Sequence, residues 1–246
     1  MNGGSVAEKE TKTAVVVSAH SADFVWRAGG AIALYAERGW EITVVCLSFG
    51  ERGESAKLWR DPGMTIEKVK AARQDEAIRA ADVLGARTIF FDAGDYPMRI
   101  SDEMLYRLAA LYRDLRPEII LTHSLHDPYN FDHPLASRAA QEARIIAQAH
   151  GHDPLIPVLG APPVFLFEPH QPEQCDWKPD VLLDITPVWE KKYAAFKVMA
   201  AQEHLWAYYE RVALQRGVQG SRNSNRQMKY AEGYQRIFPQ VAEGLQ

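Results

Sequence analysis

From residue 14 onward the chain alternates short runs of β-branched and apolar residues with segments of helical period, and this alternation governs what it can fold into. Strands are expected at 14–18, 41–47, 88–91, 118–122, 164–167 and 181–184, with helices near 25–37, 65–84, 102–115 and 133–149. Gly39, Gly85 and Pro117 punctuate the returns from helix to strand. Such a series buries its apolar faces as right-handed βαβ units on a parallel sheet. After Pro187 the pattern turns helical, through 189–202 and 203–215. The stretch Gln215 to Arg226 is rich in Gly, Ser and Asn and reads as a mobile loop. No repeat or interdomain linker interrupts the chain. Its 246 residues, 47% of them hydrophobic, are therefore expected to form one large α/β domain over 1–246, with a disordered tail at about 1–12.

The charge balance, 28 Lys+Arg against 32 Asp+Glu for a net charge of -4, offers nothing to nucleic acid or an acidic membrane. Cys46 sits in an apolar strand and Cys175 in a polar loop, too far apart in sequence for a disulfide framework or a CxxC metal clip. The polar segment 1–13 lacks the apolar core of a signal peptide. No apolar run approaches the roughly 20 residues that span a bilayer. A soluble cytoplasmic protein acting on a small molecule is expected.

In open parallel sheets ligands bind beyond the carboxyl ends of the strands. His20 and Asp23 follow the first strand, Glu51 and Glu54 the second, and Asp92 and Asp95 the third. His123 to His133 follow the fourth strand and His170 the fifth. Side chains capable of chemistry thus collect at one edge. His20, Asp23 and His133 offer two imidazoles and a carboxylate, which leaves the fourth position of a tetrahedral zinc ion open, as in a catalytic site. Asp23 and Asp132 also suit the plainer role of helix caps. His123 and His126 are expected to face substrate or support the ligands. His150 and His152 read as surface residues, and His204 as packing.

The segment Ala19-His20-Ser21-Ala22-Asp23 resembles the Ala-His-Pro-Asp-Asp motif of the PIG-L / LmbE-like de-N-acetylases. Arg73-Gln74-Asp75-Glu76 resembles that family's Arg-x-x-Glu, and Asn130-Phe131-Asp132-His133 its His-Pro-Asp-His. Asp184, Lys192 and Ala201-Gln202 correspond to a later Asp, Lys and Ser-Gln. The resemblance implies a Rossmann-like, mostly parallel sheet flanked by helices, with a helical C-terminal region. It also implies Zn2+ held by His20, Asp23 and His133, and a homo-oligomer. Two departures matter. Ala22 replaces the family's catalytic Asp, and Asn130 its first His in the later motif. Losing one positioned acid or base typically costs ~10²–10⁴-fold in rate, so amide hydrolysis should be poor.

Residues 18–34, 46–60, 127–136 and 167–177 resemble a branch of the family that hydrates a carbon–carbon double bond in a tricarboxylate. That implies a role in the bacterial breakdown of gallate and protocatechuate. A base must replace the missing Asp. Glu51 and Glu54 both qualify, with Glu54 preferred, and His170 is the expected proton donor. Arg52 and Arg99 are ranked first for the substrate carboxylates, since a guanidinium binds carboxylate bidentately, with Lys57 and Arg60 behind them. Tyr129 and Asn130 supply neutral hydrogen bonds. Arg211, Arg216 and Arg222 lie in a late segment that can fold over the site. Two rivals stand beside the hydratase: a de-N-acetylase using Glu54 as base, and a non-catalytic metal-binding protein.

Overall fold

The computed structural model describes residues 11–243. The expected tail at about 1–12 lies, apart from Thr11 and Lys12, outside the described residues; Lys12 pairs with Glu118 at 3.0 Å. Seven strands form one sheet: β1 (Thr13–Ser18), β2 (Glu41–Cys46), β3 (Ala86–Phe90), β4 (Ile119–Thr122), β5 (Val164–Phe167), β6 (Val181–Asp184) and β7 (Ala231–Arg236). Their spatial order is β3-β2-β1-β4-β5-β7-β6. The first five run parallel, and β7 pairs antiparallel with both β5 and β6. The strand order reverses at the β1–β4 pair, the position where sheets of this class open a ligand crevice.

The described residues form six α-helices: α1 (Asp23–Glu37), α2 (Ile66–Leu84), α3 (Asp102–Leu115), α4 (Asp132–Gln148), α5 (Trp189–Val198) and α6 (Trp206–Arg222). Alternate side chains of β1 divide between two cores. Ala14 and Val16 pack with α1, α2 and α5, while Val15 and Val17 pack with α3 and α4. Residues 14–18 are all buried, as expected of a parallel strand covered on both faces. Thr65 caps α2 by accepting from Lys68 N–H at 3.3 Å, and Ser101 caps α3 by accepting from Met104 N–H at 3.2 Å. Among the described residues no helix is long and apolar enough to cross a membrane. Cys46 and Cys175 are both buried and free.

The C-terminal third departs from expectation in three places. The helix expected over 189–202 stops at Val198, and a 3-10 turn over Ala200–Leu205 follows, with Gln202 at φ -127, ψ 35. The loop expected over 215–226 is helical as far as Arg222. Its glycines are there for close packing: a Cβ on Gly217 would lie 2.2 Å from the Lys229 carbonyl oxygen. β7 was not expected, because its second residue is the charged Glu232. That carboxylate is buried, and accepts from Gly30 N–H (2.6 Å), Ala31 N–H (2.8 Å), Lys192 Nζ (2.5 Å) and the Tyr234 hydroxyl (2.6 Å). Four donors offset the cost of burying it.

Candidate active site

Each connection leaving a carboxyl end of β1 to β5 contributes side chains to one site. Ser18, the last residue of β1, closes the first turn: its hydroxyl donates to the His20 carbonyl (2.6 Å) and accepts from Phe24 N–H (3.2 Å). His20 N–H donates to Asp23 Oδ2 at 2.9 Å. Asp23 opens α1, where the N-terminal end of the helix dipole favours a carboxylate. His133 lies in the first turn of α4. Ala22, between the two residues of the first motif, packs fully buried in the apolar core and offers no acid or base.

The imidazoles are oriented by carboxylates behind them. His133 Nδ1 lies 2.8 Å from Asp127 Oδ2, and His20 Nε2 lies 3.2 Å from Asp132 Oδ2. Asp132 is itself fixed by the N–H groups of Tyr96 and Met98, both at 3.0 Å. If those ring nitrogens donate, the opposite ones present lone pairs to further acceptors. His20 Nδ1 stands 3.1 Å from both Asp23 Oδ2 and Glu54 Oε1. His133 Nε2 stands 3.3 Å from Asp23 Oδ1, is buried, and has no hydrogen-bond partner. One donor atom from each of His20, Asp23, Glu54 and His133 falls within 4.8 Å of all the others. Buried acceptors aimed at one another require a cation or protons between them, and a ring N–H held by a carboxylate is the usual support of a metal-bound His. The donor set fits a divalent ion.

The electrostatics agree. Burial alone would depress His20, yet Glu54, Asp132 and Asp23 together raise it well above its usual value. Burial would raise Asp23, and His133 and His123 instead hold it well below the usual carboxylate range. Glu54 is likewise lowered against its burial, chiefly by His20. His123 accepts from Ala19 N–H at 2.9 Å and stacks on His133 with ring centroids 4.2 Å apart. Burial, then His133, lowers it well below its usual value, so it supports the cluster as a neutral ring.

Above the cluster opens a cavity of about 330 Å³. Of the residues singled out from sequence, Asp23, Glu54, Lys57, Tyr129, Asn130, His133 and His170 line it, and His20 is buried beneath. Asn130 donates to the Tyr96 hydroxyl at 2.9 Å and to Glu54 Oε1 at 3.4 Å. Gly53 lets Tyr96 lie flat against this loop, since a Cβ there would come within 1.9 Å of the ring. His170 stacks on Tyr208, and its Nδ1 is 3.4 Å from the Tyr209 hydroxyl. Glu51 is buried outside the cavity, and burial raises its pKa.

Arg52 and Arg99, ranked first for substrate carboxylates, do not line the cavity. Buried Asp95 accepts from the backbone N–H groups of Arg52 (2.9 Å) and Gly53 (2.7 Å), which turns the loop so that Glu54 faces inward. The Arg52 side chain is 53% exposed, 3.4 Å from Glu51. Arg99 donates to the Met98 carbonyl. Arg211, Arg216 and Arg222 also stay outside; Arg216 pairs with Glu168 at 2.5 Å. The cations at the wall are Arg27, Lys57 and Arg60. Sequence reasoning passed over Arg27, Tyr96 and Tyr209 and read His204 as packing, yet all four line the cavity. Arg27 was findable, because it stands four residues after Asp23 and so shares its helical face.

The profile of the PIG-L family, described as GlcNAc-PI de-N-acetylase, matches residues 15–144. A protein of Pseudomonas putida KT2440 named 4-oxalmesaconate hydratase is 66% identical over 238 residues, 95% of this chain and 92% of that one. The crystal structure of GalB, the 4-carboxy-2-hydroxymuconate hydratase of the same strain, superposes with a TM-score of 0.94 at 65% identity, covering 96% of this chain and all of that one. An N,N'-diacetylchitobiose deacetylase from Pyrococcus horikoshii, 22% identical, shares the fold with a TM-score of 0.77 over 93% of this chain and 85% of its own.

Proposed function

This chain belongs to the PIG-L family, and within it we propose a metal-dependent hydro-lyase that adds water to the carbon–carbon double bond of 4-oxalomesaconate (4-carboxy-2-hydroxymuconate). The product is 4-carboxy-4-hydroxy-2-oxoadipate, in the cytoplasmic breakdown of gallate and protocatechuate. The observation that carries the reading is the 66% identity, along nearly the whole of both chains, to a protein named for that reaction. The site supports it in two ways. Alanine stands where an amide-hydrolysing relative would hold its base, and the wall carries cations suited to a polyanionic substrate.

His20, Asp23 and His133, with Glu54 beside them, would hold zinc, which supplies a Lewis acid and lowers the pKa of bound water toward ~7. Glu54 is the base. It is the carboxylate of the strand-two loop that faces the cavity, and His20 keeps it ionised. It takes a proton from the water whose oxygen bonds to the carbon bearing the 4-carboxylate. Asn130, whose amide also donates to the Tyr96 hydroxyl, donates to Glu54 and holds it in place. His170, on the wall, gives the proton received by the neighbouring carbon, the carboxylates of the bound substrate offsetting the burial and the Arg27 charge that lower the free imidazole. Its ring is oriented by stacking on Tyr208 and by the Tyr209 hydroxyl.

The test is direct. Purified protein mixed with 4-oxalomesaconate should abolish the absorbance of the conjugated acid, and one hydrated product should appear by NMR. Acetate released from an N-acetylglucosaminide, with the tricarboxylate untouched, would instead establish a deacetylase.

A further inference from the structure

The cavity wall contains a buried cation, Arg27, whose hydrogen-bonding capacity the protein's own contacts do not fill. Arg27, in the second turn of α1, has a side chain only 5% exposed. Its Nη1 donates to the Glu168 carbonyl at 3.1 Å. Its Nε is buried without a hydrogen-bond partner, 3.5 Å from Asp23 Oδ1. Asp23 is its nearest anion but is shared, because the same carboxylate accepts from His20 N–H and faces the rings of His20, His133 and His123 at 3.1, 3.3 and 3.6 Å. A guanidinium carries five donors in a fixed fork and is costly to bury without an anion. Arg27 lines the same cavity as Glu54, His133 and His170.

We propose that Arg27 is the carboxylate anchor of the site: its guanidinium binds the substrate carboxylate that lies deepest in the cavity, beside Asp23 and His133, and so sets specificity for polycarboxylates. This rests on the hydratase reading and gives it a recognition residue. Lys57 is less suited to that work, since its ammonium is already engaged by Glu203 (2.6 Å) and the Ala200 carbonyl (3.1 Å). Arg60 is exposed at the mouth, where it can meet only an outer carboxylate. The position of Arg27 ties carboxylate recognition to the metal cluster, because successive turns of one face of α1 carry Asp23 and the anchor.

Calorimetric titration of the zinc-loaded protein with tricarballylate, a saturated tricarboxylate, tests the anchor without turnover. Arg27→Gln should keep its zinc and its unfolding temperature, yet bind tricarballylate roughly 10–100-fold more weakly, the range for hydrogen bonds to charged groups. Arg27→Lys, which keeps the charge and most of the packing but not the fork, should recover only part of the affinity. The same variants should raise KM for the substrate more than they lower kcat. Tricarballylate binding unchanged in Arg27→Gln, or lost only together with zinc, overturns the anchor. Normal hydration by the wild type with an unchanged KM in Arg27→Gln would sink the anchor and leave the hydratase standing. Arg27-dependent binding without any hydration would do the reverse.

Discussion

Asp127 Oδ2 lies 2.8 Å from Nδ1 of His133, and this one contact aims the opposite ring nitrogen at Asp23. Both residues of the pair are buried, and burial would raise Asp127 while His133 holds it below its usual value. The carboxylate thus fixes both the tautomer and the angle of the imidazole.

Asp127→Asn should therefore weaken metal binding although it removes no ligand. Loss of such a supporting group costs ~10–100-fold in affinity. Competition with a chromogenic chelator measures it. Wild-type affinity in the variant would mean that His133 is oriented by its stacking on His123 alone.

Glu54→Gln should separate binding from chemistry. The amide keeps the shape and can still accept from Asn130, but cannot take a proton. Turnover should fall by ~10²–10⁴-fold while Asp23, His20 and His133 retain the metal. A variant turning over at near wild-type rate would move the base elsewhere in the cavity.

Acid should destabilise the protein partly through His170. Burial foremost, and then Arg27, lowers this imidazole below its usual value. The unfolded chain takes up the proton near pH ~6.5, before the folded protein does. The stabilisation contributed by His170 is therefore complete above that pH and is lost as pH falls toward and through the folded value. Urea unfolding at pH 7.5 and pH 5.5 should show a smaller acid loss in His170→Gln than in wild type. Equal losses would exclude the residue as a contributor.

Glu232→Ala should cost more stability than most changes at the cavity. It leaves the Lys192 ammonium buried and unpaired and removes the acceptor of Gly30 and Ala31. Breaking a buried ion pair from one side costs about 3–5 kcal/mol. Glu232→Gln, whose amide oxygen still accepts, should be milder by urea titration. A loss below about 1 kcal/mol for the alanine variant would show that water replaces the carboxylate.

The parallel half of the fold was legible in the sequence because its strands are covered on both faces, so that 14–17 and 42–46 read as short runs of apolar and β-branched residues. β7 was not, since Ala-Glu-Gly-Tyr buries a charge through partners far away in the chain. Glycines at 217 and 220 resembled a loop for a similar reason: what they accommodate is the segment leading into β7, and only the folded state reveals it. At the site, the residues on tight turns after strands fell together as expected. The arginines did not. Sequence proximity favoured Arg52, but Asp95 grips the backbone at that point and turns its side chain outward. Helical spacing from Asp23, a local signal that was passed over, would have led to Arg27. His204 enters the wall through the break after Val198, which the helical period of 189–202 concealed.

The placement of β7 between β5 and β6 sets an order of assembly. Among the described residues β6 pairs only with β7, so it has no strand neighbour until residues 231–236 are in place. The five parallel strands can associate before then, but the backbone of the first helix receives its Glu232 acceptor only at that last step. A chain ending before β7 would therefore keep the strands that carry His20, Asp23, Glu54 and His133 but leave the free edge of β5 open, an unpaired row of backbone groups prone to pair with another chain.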